Sequence, residues 1–134
     1  MSDETAAGGA GACTRVTLRP LASAPRSVRR IVREICTAAA LPQQVIDDAT
    51  LVASELVSDR LKQARWRLDV TVEAAGQSVT IRVCDQGETP AYSRAARVGS
   101  RRSREIVHHL ASSWGYADGA HGWAAWASLR APVA

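Results

Sequence analysis

The sequence contains no phenylalanine, a single lysine (Lys62), few cysteines and no long apolar run. Without roughly 20 consecutive apolar residues it has no candidate membrane span, and its N-terminus lacks the charged-then-apolar pattern of a signal peptide. The three cysteines, Cys13, Cys36 and Cys84, are odd in number and far apart, so they form neither a disulfide framework nor a metal-type pair. We therefore expect a cytoplasmic protein, because thiols stay reduced there.

Almost all of the positive charge is arginine, and the chain carries a formal net charge of +4. Five arginines fall within eleven residues, at Arg94, Arg97, Arg101, Arg102 and Arg104. Such a patch attracts acidic protein surfaces, phosphates or nucleic acid, unless it is simply a solvated face. No helix-turn-helix or zinc-finger pattern accompanies it, so nucleic-acid binding is not favoured.

The chain of 134 residues has room for one domain, since domains usually run to about 100–150 residues. A hydrophobic fraction of 46% and a charged fraction of 22% are typical of a soluble globular protein. Residues 1–13 are small, polar and rich in Gly and Ala, which predicts a disordered leader. Residues 14–131 are then the folded domain.

Hydrophobic periodicity predicts the elements of this domain. An alternating segment at 15–19 stops at Pro20, which suits an edge strand. A helix follows from about Ser23–Pro25 to Ala40, with an apolar face of Val28, Ile31, Val32 and Ile35. A longer helix runs from Pro42 to about Arg65, and its broad apolar face comprises Ile46, Ala49, Val52, Ala53, Leu56, Val57 and Leu61.

The second half of the chain predicts strands around one long loop. Its segments are strands at Arg67–Ala74 and Ser78–Cys84, a loop at 85–100, a helix at about 101–112 that leads through Trp114, Gly115 and Tyr116 to a turn at Asp118–Gly122, and a last strand at Trp123–Arg130. The element order is β, α, α, β, β, loop, α, β, β. It favours an α+β fold, a two-layer sandwich with three helices on one face of a mixed, mostly antiparallel sheet.

Four segments together resemble anti-sigma-factor serine kinases of the histidine-kinase/Hsp90-like (GHKL) ATPase superfamily. They are LVASELVSDRLKQA (51–64), VTIRVCDQGETP (79–90), IVHHLASSWGY (106–116) and GWAAWASLR (122–130). The resemblance implies the ATP-binding (Bergerat-type) fold of that family, with Mg-ATP held between the helices and a lid. Catalysis in such sites rests mainly on positioning and charge neutralisation.

The resemblance assigns roles to two acids on the long helix. Glu55 matches the catalytic base of the family, and Asp59 stands one turn later where the family has a Mg²⁺-holding asparagine. Asp can also coordinate Mg²⁺, which prefers oxygen ligands. However, two carboxylates at this spacing repel each other unless a cation lies between them, so we expect Glu55 to be a vestigial base.

The adenine-binding part of the family site is better matched. Asp85 stands where the family's aspartate accepts a hydrogen bond from the adenine amino group, and Gly87 stands where a glycine lets the base approach. Thr89 replaces a further glycine of the pattern. An Asp at a strand end is also a common turn former, so this pair is weak evidence when taken without the other segments.

The phosphate-binding part departs most from the family. Where a Gly-x-Gly turn should open the last helix, the chain has Arg101, Arg102 and Ser103, whose side chains obstruct a backbone phosphate cradle. Trp123 enters the last strand where a basic or small polar residue is expected. The sequence therefore predicts a nucleotide site that is impaired or lost, with no cofactor required.

Two functions remain as hypotheses. The first is a protein-binding regulator that controls a sigma factor or an anti-sigma antagonist in a bacterial partner-switching pathway, with a homodimer as one possible assembly. Its partner surface would carry the arginines Arg29, Arg30, Arg33, Arg94, Arg97 and Arg104. The alternative is an active serine/threonine kinase that uses Mg-ATP. Micromolar Mg-ATP binding that Asp85→Ala abolishes would favour the kinase.

Overall fold

The computed structural model describes residues 11–62, 67–85, 100–119 and 122–132. Within these ranges the chain forms five strands and three helices. In chain order they are β1 (Ala12–Leu18), α1 (Ala24–Ala38), α2 (Gln43–Leu61), β2 (Leu68–Ala75), β3 (Ser78–Asp85), α3 (Arg101–Leu110), β4 (Ser113–Gly119) and β5 (Gly122–Arg130). This order confirms the predicted α+β fold.

The five strands form one sheet in the order β1-β2-β3-β5-β4. Each of these neighbouring pairs is antiparallel. Strand β1 lies at one edge, as its termination before Pro20 predicts, and β4 lies at the other. Helix α2 contacts the central strands β3 and β5, and α3 packs on α2 and β4.

In the central strands, every second side chain lies on the face of the sheet that packs against the helices. Val70 pairs with Val83, which pairs in turn with Ala125, so these three side chains lie on the same face. The fully or almost fully buried residues of this face are Leu68, Val70, Val72, Ala74, Val79, Ile81, Val83, Ala125, Ala127 and Leu129.

The two long helices bury the faces that their periodicity predicts. On α1, Val28 and Val32 are completely buried, while Ile31 and Ile35 pack around them half-exposed. On α2, the predicted apolar residues from Ile46 to Val57 are buried, and Leu61 lies at the margin. Among the described helices, none is both long and apolar enough to cross a bilayer.

Helix α1 ends in a Schellman motif. The Leu41 N–H donates to the Cys36 carbonyl (3.1 Å) and the Ala40 N–H donates to the Thr37 carbonyl (3.0 Å). This closure places Ala40 in the left-handed region at φ 58°, where glycine is the usual residue. The tight turn delivers the chain directly to Pro42 and the start of α2.

Several boundaries differ from the predicted ones. Strand β1 begins at Ala12, so Ala12 and Cys13 belong to the sheet and not to the leader. The predicted turn at Asp118–Gly122 is shorter than expected, because Asp118 and Gly119 pair with β5, and Trp114 and Gly115 before it also lie inside β4. A Trp-Gly pair resembles a turn locally, but the register with β5 keeps it extended.

The sheet face opposite the helices is polar near β1 and carries a tryptophan near β4. Asp69 is 8% exposed. It accepts hydrogen bonds from Arg15 Nη2 (2.9 Å) and Thr17 Oγ1 (2.7 Å). On the other side of this face, Trp126 pairs with Gly115, whose missing side chain leaves room for the indole.

Candidate functional site

The first turn of α3 rests on the C-terminal half of α2 through two carboxylates of α2. Ser103 Oγ donates a hydrogen bond to Glu55 Oε1 (2.7 Å), and the Ser100 backbone N–H donates to Asp59 Oδ2 (3.3 Å). Glu55 and Asp59 are one helical turn apart, so both reach the same end of α3. The site therefore joins residues that are more than 40 positions apart in the chain.

The start of α3 is also capped from within. Ser100 is the N-cap, and its hydroxyl accepts a hydrogen bond from the Ser103 N–H (3.1 Å). The first turn of α3 contains no acidic residue of its own. A helix start has unpaired N–H groups and a partial positive charge, which anions stabilise. In this protein the two acids of α2 supply that negative charge.

Behind this contact lies a group of partly buried charged and polar side chains. Asp59 is 9% exposed and Arg60 is 1% exposed. Burial raises the pKa of Tyr116 above its ordinary value, and the Asp59 carboxylate raises it further, while Arg104 and Arg60 oppose the shift. These four groups therefore interact beneath the start of α3, and the phenol of Tyr116 stays neutral over a wider pH range than usual.

The structure brings together three of the residues that the resemblance placed at the nucleotide site. Glu55, Asp59 and Ser103 meet at the α2–α3 contact. Arg101 turns along its own helix instead, where its Nε donates to Glu105 Oε1 (3.0 Å), and Arg102 is exposed.

The remaining predictions about the nucleotide site lie outside the described residues. Gly87 and Thr89 fall in the gap between 85 and 100, as do the patch arginines Arg94 and Arg97. Asp85 ends β3 and Trp123 lies in β5, but the side chains of both are outside the described part of the chain. Their proposed roles stay predictions.

The arginines of α1 proposed for partner binding divide into two groups. Arg29 Nη1 donates to Ser54 Oγ (3.0 Å), and Arg33 forms an ion pair with Asp47 (3.5 Å), so both also connect α1 to α2. Arg30 points outward, with its side chain 77% exposed and its Nε 4.0 Å from Glu34 Oε1. Of the three, Arg30 is the most available to a partner.

Sequence reasoning missed three residues of this site: Ser100, Arg60 and Tyr116. The role of Ser100 was predictable from the sequence, since a serine directly before a helix is a preferred N-cap. The burial of Arg60 was also predictable, because Arg60 follows Leu56 and Val57 at helical spacing on the buried face of α2. No sequence pattern places Tyr116 at the site, because its position depends on the pairing of β4 with β5.

The described residues contain no group of three or more His, Cys, Asp or Glu side chains that could hold a metal ion. Asp59, the residue predicted to bind Mg²⁺, accepts the Ser100 N–H. Its metal-binding role stays a prediction.

Comparison with known proteins supports the architecture. No protein-family model matches the sequence, and no curated protein matches it. A similar solved structure is the crystal structure of the RsbU and RsbW domains of Rv1364c from Mycobacterium tuberculosis. The TM-score is 0.69 at 22% sequence identity, and the match covers 89% of this chain and 32% of that one. The present chain thus spans about a third of that longer protein.

The sheet order and the helices on one face are thus shared with that solved structure of an RsbU/RsbW protein. The likeness confirms the predicted resemblance at the level of the fold. At this level of identity the comparison establishes the architecture, and the function has to be argued from the site.

Proposed function

We propose that this protein is a regulator that binds a protein partner, a sigma factor or an anti-sigma antagonist, without using Mg-ATP. It would act in a partner-switching pathway in the cytoplasm, where sigma factors work. The observation that carries the proposal is the contact between the two acids of α2 and the start of α3.

The contacts at the start of α3 support a site that does not hold a triphosphate. The Ser100 N–H is bonded to Asp59 and the Ser103 N–H is bonded to the Ser100 hydroxyl. A phosphate bound there would have to displace these acceptors and would then face the negative charges of Glu55 and Asp59. Like charges at hydrogen-bonding distance disfavour each other strongly in a partly buried site. The arginines nearby add positive charge, of which Arg101 forms an exposed ion pair with Glu105.

Charge and fold together support an acidic protein partner. The net charge of +4 favours association with acidic surfaces, and such complementarity mainly sets the association rate and the choice of partner. Arg30 offers an exposed cation on α1. Strand β1 lies at an edge of the sheet that the described strands form, and an edge strand can pair with a second copy or a partner.

An active kinase is the second candidate, and one observation favours it. Glu55 and Asp59 lie side by side at the entrance to α3, the arrangement that the resemblance implies for a base and a metal ligand. In this reading Asp85 would still bind adenine, and the contacts to Ser100 and Ser103 would open when nucleotide binds.

Calorimetry with Mg-ATP and a binding assay with the sigma factors of the source cell separate the two candidates. The regulator is expected to retain a sigma factor or its antagonist at micromolar concentration, equally with and without Mg-ATP, and to give no saturable heat with Mg-ATP. Micromolar Mg-ATP affinity that Asp85→Ala abolishes, together with transfer of labelled phosphate to an antagonist serine, would establish the kinase. Retention of no regulator in either condition would reject the binding function.

A further inference from the structure

A groove between α3 and β4 lies next to the α2–α3 contact but on another face of α3. It is open to solvent, is lined by Arg101, Arg104, Glu105, His108 and Trp114, and has a volume of about 370 Å³. The α3 residues of this set recur at spacings of three and four, so they share one helix face. Ser103 and Val107 occupy the buried face, which packs toward α2. We call this cavity the α3–β4 groove.

The wall contributed by β4 is a fixed tryptophan. The Trp114 Nε1–H donates to His108 Nδ1 (3.1 Å), and the rings of His108 and Tyr116 meet the indole edge-to-face at centroid distances of 6.1 and 5.9 Å. Because its only polar atom is already bonded, the indole offers apolar surface to the groove. Because Nδ1 of His108 accepts this bond, the ring hydrogen lies on Nε2 as a further donor.

The rim of the groove is rich in hydrogen-bond donors and poor in acceptors. Glu105 is the acid among its lining residues, and it is already paired with Arg101 (3.0 Å). The Arg104 Nε is buried and makes no hydrogen bond within the described part of the chain. An unsatisfied buried donor is costly, and a carboxylate is the strongest partner for a guanidinium. The groove thus combines an apolar wall with a guanidinium, that of Arg104, whose Nε–H has no acceptor among the described residues.

We propose that the α3–β4 groove binds an acidic peptide segment of a protein partner. One apolar side chain of the segment packs on Trp114, and a neighbouring carboxylate pairs with Arg104 and Arg101. The cavity lies at the small end of the range for ligand pockets, about 300–1,000 Å³, which suits one or two side chains. Trp and Arg are also the residues that most often dominate binding energy at interfaces. This proposal deepens the proposed function by naming where the partner docks.

A labelled peptide tests the groove directly. The probe is a fluorescent ten-residue peptide with two central leucines flanked by Asp and Glu, titrated with the full chain at low and physiological salt. One control peptide replaces the leucines with serine, and the other replaces the acids with lysine. Saturable binding of the acidic leucine peptide alone is expected. If the serine control peptide binds with the same affinity, the interaction is non-specific charge attraction, and the proposal is overturned.

Two charge reversals provide the matched protein controls. Arg101→Glu changes a groove residue, and Arg26→Glu makes the same change at an exposed first-turn residue of α1, outside the groove. Both variants should stay folded, because Glu is favourable near a helix N-terminus. Arg101→Glu is expected to weaken peptide binding about tenfold or more, and Arg26→Glu less than about threefold. Equal weakening by the two variants would contradict docking in the groove.

Indole resonances in NMR spectra locate the bound peptide. The Trp114 Nε1–H signal, assigned with Trp114→Phe, is expected to shift on titration, while the Trp126 signal on the opposite sheet face stays in place.

A short single-stranded DNA serves as a competitor, and tighter binding of DNA than of peptide would indicate a nucleic-acid surface and reject the proposal. If a sigma factor binds and Arg101→Glu leaves that binding unchanged, the groove proposal fails while the proposed function stands. If the peptide binds in the groove but no regulator is retained, the proposed function fails and the groove stands.

Discussion

Ser103 Oγ lies 2.7 Å from Glu55 Oε1 and donates a hydrogen bond to it. Ser103 lies in the Arg101–Arg104 segment, where the resemblance implies a glycine turn, and Glu55 is the residue to which the resemblance assigns the catalytic base. Ser103 is only 6% exposed, so water has little access to its hydroxyl. The Glu55 carboxylate therefore helps to dock α3 on α2.

The first prediction concerns the strength of this contact. Ser103→Ala and Glu55→Gln are each expected to lower the free energy of unfolding by about 1 kcal/mol, because each weakens a charge-assisted hydrogen bond at a half-buried site. The double variant should cost less than the sum of the two, with a coupling of roughly 1 kcal/mol, measured by urea denaturation. Additive effects would mean that the bond contributes nothing to the docking of α3.

The second prediction concerns the left-handed residue after α1. Ala40→Gly is expected to stabilise the protein by about 0.5–1 kcal/mol, because a side chain at φ 58° is strained and glycine removes that strain. Ala38→Gly, two residues earlier in ordinary helical conformation, should instead destabilise it by up to about 1 kcal/mol. Thermal or urea unfolding of both variants gives the comparison, and effects of the same sign would contradict the Schellman closure.

The third prediction contrasts two leucines. Leu68→Ala is expected to cost about 2–5 kcal/mol, since Leu68 is completely buried at the start of β2 and its truncation leaves a cavity. Leu51→Ala should change stability by no more than about 0.5 kcal/mol, since Leu51 is 44% exposed on α2. Denaturant midpoints measure both. A large loss from Leu51→Ala would show that this side chain is covered in solution, for example by a second copy.

The fourth prediction concerns cysteine reactivity. Burial raises the pKa of Cys36 from its ordinary value of 9.0 to about 11. At pH 8 a thiol reagent should modify the exposed Cys13 rapidly and Cys36 only after unfolding, as followed by mass spectrometry. Rapid modification of Cys36 in the folded protein would show that α1 opens locally.

The same shift sets a pH dependence of stability. Since the folded state holds the Cys36 proton more tightly than the unfolded chain, its contribution is complete below pH 9 and is lost as the pH rises toward 11. Wild type should therefore lose about 1–3 kcal/mol more than Cys36→Ala between these pH values. Parallel pH profiles for the two proteins would contradict the raised pKa.

Residue spacing alone predicts most of the fold. Val28 and Val32 recur at helical spacing and are buried as expected, and the alternation of Val79, Ile81 and Val83 places one face of β3 in the core. These patterns depend only on the periods of helix and strand, which a short stretch of sequence carries in full. The start of β1 and the width of the Asp118–Gly122 turn are predicted wrongly, because strand pairing, a non-local property, extends both strands.

In the candidate site, too, the local features are predictable from the sequence and the long-range contacts are not. The spacing of Glu55 and Asp59 puts both acids on one side of α2 whatever surrounds them, and the glycine-free run at Arg101–Arg104 already argues against a phosphate cradle. Nothing local could reveal that these acids meet Ser100 and Ser103, 41 and 48 positions away in the chain. That meeting arises because α3 packs on α2 as the chain returns to β4 at the sheet edge, so the partner of each carboxylate depends on how the layers assemble.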